Sequence, residues 1–107
     1  MQHKELQAGR WQTLTLAEQL GNVGSEVHRA LISQGKSDVD FQAAFARALE
    51  LFDLTIADPR HRERLKELTR AREIFCDAAD AGNAYHTTLT DMDAYLMHFA
   101  VAAQNKR

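Results

Sequence analysis

The sequence predicts an all-α fold, an antiparallel up-and-down four-helix bundle, and three observations carry that expectation. One proline and five glycines in 107 residues leave little material for turns between strands, while Ala, Leu, Glu and Arg are frequent, a composition that suits long helices. Four stretches repeat apolar residues at steps of three and four, which gathers side chains on one helix face. The links between the stretches are short, and a short link makes consecutive helices antiparallel neighbours. A chain of this length forms one domain, 1–107, able to bury well over half of its unfolded surface.

Residues 1–14 show no clear period and read as a loose lead-in whose one anchor is Trp11, set against an end of the bundle. The first helix opens at Thr15, because Thr15 and Glu18 have the capping-box spacing in which hydroxyl and carboxylate satisfy each other's free backbone N–H. It runs to about Gly35 on the stripe Leu16, Leu20, Val23, Val27 and Leu31. Gly21 and Gly24 lie beside that stripe. Glycine costs a helix about 1 kcal/mol relative to alanine, so two on one face indicate a close helix approach or, alternatively, a small-ligand slot.

Ser37 followed by Asp40 caps a second helix from about Asp38 to Ala57. Phe41, Phe45, Ala48, Leu49, Phe52 and Ile56 share one arc and should form the heaviest part of the core. Leu54 falls among the charged residues of the opposite arc, with Leu51 just beside it. Neither has an obvious home within the chain, so Leu51 and Leu54 are candidate interface residues.

Asp58 is a good N-cap and Pro59 suits a first helical position, which starts a third helix from Pro59 to about Ala81, stopped at Gly82-Asn83. Its stripe reads Leu65, Leu68, Arg72, Phe75 and Ala79, with Ala71, Ile74 and Cys76 on the flanks. A charge at Arg72 would cost several kcal/mol unless paired. Its expected partner comes from another helix, Glu26 or Glu18; a ligand is the alternative. Thr87 or Thr88 should cap a fourth helix reaching about Gln104 on Leu89, Met92, Leu96, Phe99 and Ala103.

Charge alternates along the chain although the net value is only −2. That balance argues against binding nucleic acid through bulk charge. Five acidic residues and one basic residue occupy 38–58, and six basic with two acidic occupy 60–72. Folded at Asp58, the two blocks should answer each other: Asp53 with Arg62 or Arg64, Glu50 with Lys66, and Arg47 beside Arg70 and Glu73. One cysteine, Cys76, cannot form an internal disulfide, and no run approaches the roughly 18 apolar residues of a membrane span. The first residues lack a signal peptide's apolar core, so the expected location is cytoplasmic.

Candidate chemistry is sparse. A di-metal bundle needs Glu-x-x-His pairs; this chain has none, and its five histidines are scattered. A cysteine–histidine zinc site fails on a single cysteine. No phosphate loop stands out, and no Ser or Cys has a neighbouring base. No metal or cofactor is therefore expected. Helical bundles of the HEPN class include ribonucleases with an arginine, four to six residues, then a histidine; no arginine here has that spacing. The basic run still offers Arg62, Arg64, Arg70 and Arg72 as candidate RNA- or nucleotide-binding residues.

The string Arg47 to Ile56, with Arg64-Leu65-Lys66-Glu67, Arg72-Glu73 and Cys76-Asp77, resembles a family of small, uncharacterised, all-helical bacterial proteins. Gly24-Ser25-Glu26, Asn83-x-Tyr85 and Thr87 extend the likeness to roughly residues 16–103. Relatives carry bulky aromatics just after the Cys-Asp pair, where this chain has Ala78 and Ala79. The resemblance implies a helical fold and adds no catalytic residue. The expected function is a non-enzymatic interaction module, a homodimer or a binder of another protein, with an RNA- or nucleotide-binding bundle as the alternative.

Overall fold

Hydrogen-bonding chemistry local to the sequence sets the helix starts. Thr15 and Glu18 exchange both bonds of a capping box ahead of α1 (Leu16–Ser33), and Ser37 Oγ accepts the Asp40 N–H ahead of α2 (Asp38–Ala57). Between them Gly35 adopts φ +81°, a left-handed turn that glycine makes without strain. Thr88 and Asp91 exchange the same pair of bonds at the start of α4 (Leu89–Asn105). The structure is a computed structural model describing residues 9–80 and 84–105; among these residues it is all helix and turn, without a strand. Expectations for residues 1–8 and for Gly82-Asn83 lie outside the described residues.

The third helix differs from expectation. Pro59–Arg64 is a 3-10 segment with a non-helical residue, His61 (φ −104°, ψ 23°), and α3 begins only at Leu65, running to Ala79. Asp58 accepts the Arg60 N–H, as an N-cap does. Only His61 among the next six residues goes inside.

Helix α1 packs extensively against both α2 and α4, whereas α3 meets α2 and α4 through fewer residues. The closest approach is at the glycines: a Cβ on Gly21 would stand 3.1 Å from the Ala100 Cα, and one on Gly24 3.0 Å from the Leu96 Cβ. The glycine stripe is thus a helix seam with α4. A chain of rings, Phe41–Phe45, Phe45–Phe75 and Phe52–Phe75, with centroids 6.2, 5.2 and 5.9 Å apart, ties α2 to α3. The radius of gyration is 13.6 Å, close to the ~13 Å of a folded domain of this length.

Two buried faces are rotated from the expected ones. Helix α2 lies between α1 and α3 and buries a wide arc that includes Ala44, Leu51 and Thr55 as well as Ala48 and Phe52. Leu51 is 4 % exposed and belongs to the core, so it has a home within the chain after all and is not an available surface residue. Helix α3 buries Leu68, Ala71, Phe75 and Ala78, while Leu65 is 42 % exposed. Choosing Ala71 over Arg72 for the inside spares the cost of burying a guanidinium.

Residues 9–14 are also more ordered than a loose lead-in. Residues 9–11 are helical, Trp11 is buried, and its indole N–H donates to Thr55 Oγ1 at 3.1 Å. Among the described residues no helix is long and apolar enough to cross a membrane.

Candidate functional site

Polar groups concentrate in two places, at a buried junction where α2 ends and along the outer face of α2. In the junction, Gln19, Thr55, Asp58 and His61 are all buried. The Gln19 amide donates to the Trp11 carbonyl at 2.8 Å and to Asp58 Oδ2 at 3.0 Å, so its oxygen must accept from His61 Nε2 at 2.9 Å. That assignment puts the neutral imidazole proton on Nε2. Asp58 also receives the Arg60 side chain at 2.6 and 3.0 Å, and Arg60 in turn donates to the Leu14 carbonyl at 2.6 Å.

The Arg60 guanidinium, with smaller help from Gln19, the Arg60 backbone N–H and His61, holds the Asp58 carboxyl well below the usual carboxylate range against the opposing effect of burial. Burial pushes the His61 imidazole down; Asp58 opposes this, and the Arg60 and Arg64 charges add to it. Every buried side-chain nitrogen and oxygen among the described residues has a partner. A group with all its hydrogen-bonding capacity spent inside the protein is built to hold a shape, and this junction fastens the N-terminal segment to the end of α2.

The outer face of α2 is open. Ala43, Ala46, Glu50 and Asp53 recur at steps of three and four opposite the phenylalanines, with Leu54 beside them, a second stripe that contains little hydrophobic mass and so escapes a search for core residues. With Leu49, Arg47 and Arg72 they line a shallow groove of about 750 Å³. Its flanks carry two ion pairs, Arg47–Glu50 at 2.9 Å and Arg72–Asp53 at 2.8 Å. Leu54, half-buried, and Arg72 therefore meet in one groove, although the sequence proposed them for different tasks. Arg72 does take its partner from another helix, but the partner is Asp53; Glu26 pairs with Arg29 and Glu18 serves the α1 cap.

The four candidate arginines do not share a face. Arg64 pairs with Glu67 at 2.8 Å, Arg72 turns to α2, and Arg62 and Arg70 line a different depression, with Lys66 between them and Glu63 and Glu73 alongside. None of the pairings expected across Asp58 forms. The Asp53–Arg72 pair is symmetric about residues 62 and 63, because the 3-10 segment consumes six residues before the chain turns back.

Acidic residues near the end of α3 have structural tasks here. Asp77 accepts the N–H groups of Ala84 and Tyr85 at 3.1 and 3.0 Å, and Glu73 accepts the Tyr85 hydroxyl at 3.1 Å, which clasps the loop leading to α4. Cys76 is a half-buried free thiol. Beside the glycine seam His28 Nδ1 lies 3.3 Å from both Asp93 oxygens, at the surface. Among the described residues no three His, Cys, Asp or Glu side chains converge as metal ligands would. Comparison of the chain with protein-family models, curated proteins and solved structures found no match.

Proposed function

We propose that this protein is a non-enzymatic helical interaction module that works by self-association through the outer face of α2. The groove holding Leu54 and Arg72 carries the proposal: the exposed Ala43 and Ala46 and the half-buried Leu49 and Leu54 lie between two ion pairs, a partly apolar strip with polar flanks. The buried junction supports a structural use of the interior, since its polar groups are committed to one another. We infer an up-and-down bundle as the scaffold, supported by contacts of α1 with α2, α2 with α3, α3 with α4, and α4 back with α1. A cytoplasmic location fits, because there the free Cys76 thiol stays reduced.

Size-exclusion chromatography with light scattering tests self-association. The wild type should elute as a dimer at high micromolar concentration, and Leu54→Asp as a monomer that keeps the helical circular-dichroism signal of the wild type. A wild type that stays monomeric there would remove the proposal. RNA or nucleotide binding is the competing function, reduced to the exposed stripe Arg62, Lys66 and Arg70. It requires affinity that falls steeply with salt and on Arg62→Glu.

A further inference from the structure

We infer that the buried junction is a pH-sensitive latch: protonation of His61 loosens its hold on residues 9–14, and acid lets that segment lift away while α1 to α4 stay folded. The inference is independent of self-association.

Among the described residues His61 is the only buried histidine; His28, His86 and His98 are exposed. Its Nε2–H donates to the Gln19 oxygen at 2.9 Å, and the same amide donates to the Trp11 carbonyl at 2.8 Å. One side chain therefore stands between the titrating ring and the anchor of the N-terminal segment. Three hydrogen bonds tie residues 9–14 to the rest of the described chain: the one from Gln19, the indole N–H to Thr55 Oγ1 at 3.1 Å, and Arg60 to the Leu14 carbonyl at 2.6 Å. Two of these donors, Gln19 and Arg60, also hold Asp58, so the segment and the junction share their partners.

Charge supplies the trigger. With His61 neutral the site balances, Asp58 against Arg60 at 2.6 Å and Arg64 against Glu67 of α3 at 2.8 Å, while α1 faces the ring with the neutral Gln19. A second proton on the imidazole has only Asp58 to answer it, at 3.5 Å, and that carboxylate is already engaged by Arg60. With His61 only 7 % exposed, the junction would hold one net positive charge away from water, which is costly. Burial accordingly lowers the His61 pKa, so an open form takes up the proton more readily and acid favours opening. The easiest opening lifts the N-terminal segment, because α1 is packed along both α2 and α4 whereas the segment depends on Trp11 and three hydrogen bonds.

The test is hydrogen exchange of the Trp11 indole N–H in the full chain, followed by NMR; the chain has one tryptophan, so its resonance is unambiguous. Indole protection, corrected for the intrinsic effect of pH, should lie below that of the slowest amides of α1 and α2. It should fall at least about threefold between pH 7.5 and pH 5.5, where uptake of one proton permits at most about tenfold per pH unit. His61→Gln, which keeps a donor for Gln19 and cannot titrate, should abolish the fall, and His98→Gln should preserve it. Should His61→Gln fail to fold, the wild type decides: the fall must level off at the titration midpoint of the His61 ring, read from its own ring protons, and levelling at another histidine's midpoint would overturn the inference. Indole protection equal to that of the slowest amides would mean that the segment leaves only when the whole bundle unfolds, and would overturn it as well. So would protection that ignores pH, or a fall that persists in His61→Gln.

Discussion

Leu54 and Thr55 are neighbours on α2, yet they belong to regions run on opposite chemistry. Thr55 faces inward, where its hydroxyl accepts from Trp11 and donates to the Leu51 carbonyl at 2.8 Å, within a junction of fully satisfied polar groups. Leu54 faces the open groove between surface ion pairs. The fully buried residue of the two is the polar one, whereas the leucine is only half-buried. The junction's side chains are committed to one another, whereas the groove's ion pairs are partly open to solvent.

That contrast is broken most forcefully at Asp58. Asp58→Ala removes the cap of the 3-10 segment and the acceptor for Gln19 and Arg60, and should cost about 3 kcal/mol, a fall in melting temperature of roughly 10–20 °C. If the loss is small, the junction is not where stability lies.

Gly24→Ala comes next. Leu96 Cβ is anchored to its helix, so the added methyl has to separate α1 from α4, and the overpacking exceeds the gain in helix propensity by about 1 kcal/mol. Chemical denaturation of the variant measures it.

A smaller effect should come from pH. The His61 pKa is lower in the folded chain than the ordinary value of about 6.5, so the unfolded chain binds more protons and stability rises with pH. The contribution is complete above about pH 6.5 and is lost as pH falls through the folded value. Melting temperature should drop between pH 7.5 and pH 5.5, and His61→Gln should flatten that dependence. Asp58 adds nothing in this window: its depressed pKa keeps its contribution intact until pH falls below the ordinary carboxylate range.

The smallest expected change is at Arg72. Arg72→Met breaks a pair whose aspartate is 61 % exposed, worth about 0–1 kcal/mol. Thermal melting that moves by several degrees would show the groove to be a structural element as well.

The caps and apolar periods were readable residue by residue, because a hydroxyl and a carboxylate three apart, or leucines at steps of four and three, act within one turn of helix. Thr15, Ser37 and the boundaries of α2 lie where those rules put them. The inward rotation of Leu51 was not readable, since it depends on α1 and α3 pressing α2 from two sides. Nor was the junction: Gln19 and Asp58 are 39 residues apart, and Trp11 and Thr55 are 44 apart. The one local hint was Gln19 itself, four residues before the buried Val23 on the same flank of α1. The failed charge pairing has a comparable origin, because equidistance from Asp58 assumes a continuous α-helix where the chain makes a 3-10 segment.

The bond from Trp11 to Thr55 also equips the molecule with a reporter. The chain has a single tryptophan, so its ultraviolet emission comes from the seam between the N-terminal segment and α2, whereas circular dichroism averages over every helix. If the seam and the helices melt as one cooperative unit, the two signals should trace the same curve. Fluorescence that reddens while the ellipticity stays constant would mean that the segment can undock from a bundle that is still folded.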